Sequence, residues 1–135
     1  MKKINNIFSY QLIDKQDPNS QWLKIESTRL ITHTSYSAPT TADIIAKINQ
    51  FNPESTHTFA NSAVPKIIAS VDSINGVETI TYFGRYKVIV EIASDFDADE
   101  VARSICDYLK LVLDSTYVAQ DLPFVPISSK NILAN

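Results

Sequence analysis

The chain has 135 residues, of which 44% are hydrophobic and 20% charged, and its net charge is −3. That length suits one domain with one core, the interspersed charges offer no basic stripe for nucleic acid, and no apolar run is long enough to span a bilayer. Two glycines, Gly76 and Gly84, and one cysteine, Cys106, exclude a glycine-rich phosphate loop and an internal disulfide.

The first residues, MKKINNIFSYQLID, contain no uninterrupted apolar run and no small-residue cleavage site, so no secretory leader is expected. Ile7 to Ile13 reads as a strand with Phe8, Tyr10 and Leu12 on one face. Asp17-Pro18-Asn19-Ser20 is turn chemistry, with Asp favoured at the first position and Pro setting the φ of the second. The strand that leaves it points Leu23 and Ile25 toward the core, and Trp22, Lys24 and Glu26 outward. Residues Arg29 to Thr34 could extend further, and Thr34 to Thr40 reads as a loop.

Thr40, with Asp43 three residues on, opens a short helix to about Gln50 that presents Ile44, Ile45 and Ile48. Asn52-Pro53 stops it, and a Ser/Thr-rich loop runs from Glu54 to Asn61. Ser62 is expected to cap a second helix bearing Val64, Ile67, Ile68 and Val71, with Pro65 in its first turn. Asn75-Gly76 ends that helix. Val77 to Phe83 and Tyr86 to Ile92 then form a hairpin around Gly84-Arg85, with Tyr86, Val88, Val90 and Ile92 on one face.

Asp97 and Glu100 mark the start of the strongest helix, Ala98 to about Asp114. Its apolar face comprises Val101, Ile105, Tyr108, Leu109 and Val112. Beyond it, Leu122, Phe124, Val125 and Ile127 alternate with Pro123 and Pro126 in an extended arm. The expected architecture is α+β: a mostly antiparallel four-stranded sheet built from two β-hairpins, with helices on one face. It forms one domain over residues 1–114, followed by an arm over 115–135.

Chemistry-bearing residues do not converge. His33 and His57 lack a second ligand at metal spacing. Cys106 sits beside Ile105 in a helix, the setting of a half-buried structural thiol rather than a nucleophile. Asp95, Asp97, Asp99 and Glu100 alternate like a calcium loop but lack its glycine and distal bidentate Glu, so helix capping explains them better. There is no G-x-S-x-G elbow. Tyr82, Phe83 and Tyr86 lie near the second hairpin's tip with only Arg85 and Lys87 beside them and no basic stripe, which favours packing over base stacking. No catalytic, metal-binding or cofactor-binding residue is assigned, and the chain is expected not to be an enzyme.

Two separated segments resemble a family. Asp17-Pro18-Asn19-Ser20-Gln21-Trp22-Leu23-Lys24-Ile25 is similar to the T-P-N-P-N-S/A-L/R-K-F motif in the N-terminal domain of Nfu/NifU-type iron–sulfur scaffold proteins, sharing Pro18, Asn19, Leu23 and Lys24. Ser62-Ala63-Val64, Ile74-Asn75-Gly76-Val77, Ile80, Phe83-Gly84 and Tyr86-Lys87-Val88-Ile89-Val90 resemble the family's later segment, which also leads to an acidic loop and a final helix. The second Pro-Asn of the motif is replaced by Ser20-Gln21, and the T-V-T-K ending by Val88-Ile89-Val90-Glu91. Residues 40–50 look like an inserted helix.

The family holds its cluster through a Cys-x-x-Cys motif in a separate domain, and this chain has a single cysteine. The resemblance therefore implies a cytoplasmic protein-binding module without its own cofactor, serving iron–sulfur assembly. The alternative is a structural or assembly protein, such as a phage or virion subunit, that docks through its C-terminal arm and self-associates. The expected contact residues are Pro18, Asn19, Trp22, Lys24 and Phe124, with Trp22 foremost because it faces outward.

Overall fold

The computed structural model describes residues 1–13, 20–32, 34–51 and 59–116. Its elements in chain order are β1 (Lys2–Lys3), β2 (Phe8–Ile13), β3 (Ser20–Ser27), β4 (Tyr36–Ser37), α1 (Thr41–Phe51), α2 (Phe59–Asp72), β5 (Val77–Phe83), β6 (Lys87–Ala93) and α3 (Ala98–Thr116). The strands form one sheet in the order β1-β2-β3-β6-β5-β4, and every neighbouring pair is antiparallel. The α+β class and antiparallel sheet agree with the sequence reading. The strand number does not: the sheet has six strands rather than four.

The two additional strands are two-residue edges, too short to show any hydrophobic period. Their neighbours place them: Lys2 pairs with Tyr10, and Tyr36 with Phe83. Among the described residues of Arg29 to Thr34 none lies in a strand; Ile31 instead donates one backbone bond to Arg85, at 2.6 Å. β4 falls inside the stretch read as loop. Short edges of this kind also leave little unpaired backbone for another chain to join.

β2 and β3 pair from Phe8↔Ser27 to Ile13↔Trp22, as expected of the first hairpin. Its turn at Asp17-Pro18-Asn19 lies outside the described residues. β3 and β6 are the central pair, from Ser20↔Ala93 to Glu26↔Lys87, and they join the two hairpins into one sheet. β5 is irregular. Register shifts between Val77 and Thr79, and between Ile80 and Tyr82, put Val77, Ile80 and Phe83 on the core side although they are three residues apart. All three are buried.

The helices pack against one another and against β2, β3, β4 and β5 as one layer. α1 begins as expected, with the Asp43 N–H donating to Thr40 Oγ1 at 3.1 Å. α2 begins at Phe59, ahead of the expected cap at Ser62, so Pro65 lies inside the helix rather than in its first turn. Serine is tolerated within helices as well as at their caps, so Ser62 alone could not fix the boundary.

α3 buries Val101, Ile105, Tyr108, Leu109 and Val112, together with Ala102, Cys106 and Leu113. Cys106 is fully buried rather than half-buried. At the start of α3 the Asp97 carboxylate accepts from the Asp99 N–H at 3.0 Å, so one of the helix's first N–H groups is satisfied locally.

A buried polar junction explains how β4 can be so short. The Thr41 hydroxyl donates to Asp72 Oδ1 at 2.5 Å and accepts from the Ile80 N–H at 2.7 Å. The Thr41 N–H donates to Thr79 Oγ1 at 2.8 Å. Together with the Ala38 N–H, which donates to the Thr81 carbonyl at 3.2 Å, these bonds satisfy the β5 edge that a longer β4 would have covered. One threonine ties the start of α1 to the end of α2 and to the sheet.

Candidate partner-binding face

Strand alternation sends Leu23 and Ile25 of β3, and Val88, Val90 and Ile92 of β6, into the helix-covered core, where each is completely buried. The opposite phase faces away from the helices. The pairing sets Ile13, Trp22 and Glu91 side by side, and sets Gln11, Lys24, Ile89 and Tyr82 in the next row. Ser9, Glu26 and Lys87 form a third. Ile13, Trp22, Ile89 and Tyr82 thus make an apolar band across the sheet, each side chain half-buried.

Polar groups around this band are held in place. Lys24 Nζ lies 3.4 Å from Glu26 Oε2, and Lys87 Nζ stands 5.1 Å from the Tyr82 ring centroid. Such exposed contacts are worth little in stability, but they fix where charge is presented around the aromatic centre.

Of the five expected contact residues, Trp22 and Lys24 lie on this face, in adjacent rows. Pro18, Asn19 and Phe124 lie outside the described residues, as do His33 and His57. The sequence reading missed Ile13, Ile89 and Tyr82 as companions of Trp22. The signal was present in β6: Ile89 is apolar but out of phase with Val88, Val90 and Ile92. Among the expected aromatics, Phe83 belongs to the core, while Tyr86, just ahead of β6, is 50% exposed.

Cys106 and Asp99 are both engaged within the fold. Burial pushes the Cys106 thiol up to about 12, which keeps it protonated and unreactive at neutral pH. Asp99 receives Arg103 Nε at 2.7 Å, Lys2 Nζ at 3.1 Å and the Tyr10 hydroxyl at 2.7 Å. It thereby ties the paired residues Lys2 of β1 and Tyr10 of β2 to α3. Among the described residues no three His, Cys, Asp or Glu side chains are grouped so as to hold a metal ion. No helix among them is long and apolar enough to cross a membrane. No family model, curated protein or solved structure matches the chain.

The Asp99 cluster gives stability a pH dependence at both ends. Hydrogen bonds from Arg103, Tyr10 and Lys2 hold the Asp99 carboxyl well below the usual carboxylate range. Its contribution is full above the unfolded value of about 3.9 and is lost as pH falls toward the lower folded value. Burial, reinforced by the bond to Asp99, raises Tyr10 to about 12. Its contribution is full below the unfolded value of about 10 and is lost as pH rises to about 12. Urea midpoints measured across pH are expected to fall on both sides. Asp99→Asn should shallow the acid arm, and Tyr10→Phe the alkaline arm. Unchanged slopes would show that the cluster does not couple to folding.

Proposed function

We propose that this chain is a non-enzymatic protein-binding module that resembles the N-terminal domain of Nfu-type iron–sulfur scaffold proteins and acts as an accessory or adaptor without a cluster of its own. The observation that carries this reading is the half-buried Trp22, set with Ile13, Ile89 and Tyr82 on the sheet face turned away from the helices. A large aromatic surrounded by apolar neighbours and a charged rim is the composition of a contact hot spot.

The order of elements supports the resemblance. The Asp17 to Ile25 motif leads into β3, Gly76-Val77 opens β5, Phe83-Gly84 closes it, and the acidic stretch precedes α3. The buried Cys106, its thiol held protonated by burial, supports the cluster-free part, because a cysteine ligates iron as its thiolate.

Affinity capture from the native host with the full chain and with Trp22→Ser tests the partner role. The variant is expected to keep its far-UV circular dichroism and to lose the captured protein. Equal capture by both chains would overturn the contact role, and global unfolding would assign Trp22 to the core. Anaerobic reconstitution with iron and sulfide is expected to leave a colourless protein. A stoichiometric cluster lost on Cys106→Ser would overturn the cluster-free reading.

A further inference from the structure

We propose that two copies of this chain associate through the open sheet face, sheet on sheet, about a two-fold axis that crosses β6 at Ile89. The inference rests on the reading of this face as a contact surface and goes further by naming an occupant. Along β6 the outward residues run Lys87, Ile89, Glu91, because Val88, Val90 and Ile92 take the opposite phase into the core. A second copy laid on this strand in the reverse direction sets Ile89 against Ile89 and Lys87 against Glu91. The axis repeats each contact, so this one strand supplies two opposite-charge pairs around an apolar centre. Tyr82, the cross-strand neighbour of Ile89, falls in the same row, meets its own image and widens that centre.

β3 fits the same axis. Its outward residues run Trp22, Lys24, Glu26, with Lys24 Nζ 3.4 Å from Glu26 Oε2. Reversal lays Trp22 of each copy over Glu26 of the other. Lys24 shares the axial row with Ile89, where two lysines would oppose each other if the strands of the two copies were strictly antiparallel. Packed sheets cross at about 30°, which carries each Lys24 toward either Trp22 or Glu26 of the second copy. The first contact is cation–π and the second an ion pair, so either sense of crossing relieves the repulsion. An axis running along the strands instead would set Glu91 over Trp22 and Lys24 over Ile89, leaving charges against apolar side chains.

Charge and area indicate the strength. The rows across β3 and β6 carry Lys24 and Lys87 against Glu26 and Glu91, which sum to zero, whereas the whole chain has a net charge of −3. Two such faces therefore meet without net repulsion. Four strands about 4.8 Å apart and three rows about 6.8 Å apart outline a face of about 19 by 20 Å. Two faces of that footprint bury roughly 800 Å², below the roughly 1,200 Å² at which stable complexes begin. The expected dimer is weak and dissociates on dilution.

Sedimentation velocity of the full chain from about 1 μM to 1 mM tests this, read alongside the fluorescence of Trp22, the sole tryptophan. Wild type is expected to pass from monomer to dimer, with emission moving to the blue along the same curve. Lys87→Glu and Glu91→Lys each turn two attractive contacts into repulsive ones and should weaken association about tenfold. The double variant Lys87→Glu/Glu91→Lys restores both pairs with exchanged signs and should recover much of that loss. Far-UV circular dichroism checks each fold, and Lys87→Gln and Glu91→Gln, each expected to weaken association to a smaller degree, replace any reversal that misfolds. A monomer at every concentration would overturn the proposal. So would a dimer indifferent to the single substitutions, or a folded double variant that associates no better than the single reversals. The assay contains only the purified chain, so its failure leaves the face open to a different protein. Equal capture of a host protein by wild type and Trp22→Ser would remove the host-partner role without touching the sedimentation result.

Discussion

Phe83→Ala is expected to cost about 3–5 kcal/mol of folding stability, the range for removing a fully buried aromatic ring from a core. Phe83 is completely buried at the end of β5. It is paired with Tyr36 on one side and with Val88 on the other. Both neighbours are themselves buried, and the cavity walls belong to a hydrogen-bonded sheet that cannot collapse inward cheaply. A domain of this size has a total stability of about 5–15 kcal/mol, so the loss would consume a large part of it. Urea denaturation should show a lower midpoint with an unchanged m-value. A cost below about 1 kcal/mol would mean that the site repacks around the missing ring. Trp22→Ser provides the contrast: a larger side chain is removed, but from the opposite face of the same sheet, with little effect on folding expected.

That contrast also marks what the sequence could disclose. Period-two alternation in Leu23-Lys24-Ile25 and Val88-Ile89-Val90 separated the two faces of the sheet correctly, because each strand has one side in the core. The helical periodicity of Val101, Ile105, Tyr108, Leu109 and Val112 located the buried face of α3 for the same reason. What alternation could not reveal was any element too short to repeat its period, and β1 and β4 are two residues each.

β5 failed in another way. Its core residues are three apart because the register shifts, and nothing in Val-Glu-Thr-Ile-Thr-Tyr-Phe announces where. The start of α2 was misread because Ser62 is an adequate cap and an adequate interior residue, so local chemistry left the choice to tertiary packing. The candidate face was half legible. Trp22 and Lys24 stood out within one strand, but Ile13, Ile89 and Tyr82 join them only through cross-strand register. That register depends on β3 pairing with β6 across a wide gap in the sequence.

Gly76→Ala is expected to destabilise the fold by roughly 2–4 kcal/mol, combining a strained backbone with an overpacked site. Gly76 has φ +96, a conformation that side chains with a Cβ rarely adopt. An added Cβ would stand 2.8 Å from Phe96 Cδ2 and 2.8 Å from Val101 Cγ2. Phe96 is 42% exposed and can swing aside, whereas Val101 is buried in the first turns of α3 and cannot.

The Gly76 carbonyl also accepts from the Ala93 N–H at 3.0 Å, so a shift in this turn reaches the end of β6 and the approach to α3. Gly84 differs: its backbone lies outside the positive-φ region, and the atoms an added Cβ would meet first belong to the Tyr82 side chain and the Ser35 hydroxyl. Tyr82 lies half-buried on the open face, free of the helix layer. Gly84→Ala should therefore displace one ring at lower cost and disturb the contact band more than the core. Paired urea titrations decide the matter. If Gly76→Ala costs no more than Gly84→Ala, the turn after α2 tolerates a Cβ, and the backbone conformation at Gly76 is not what holds the second hairpin against α3.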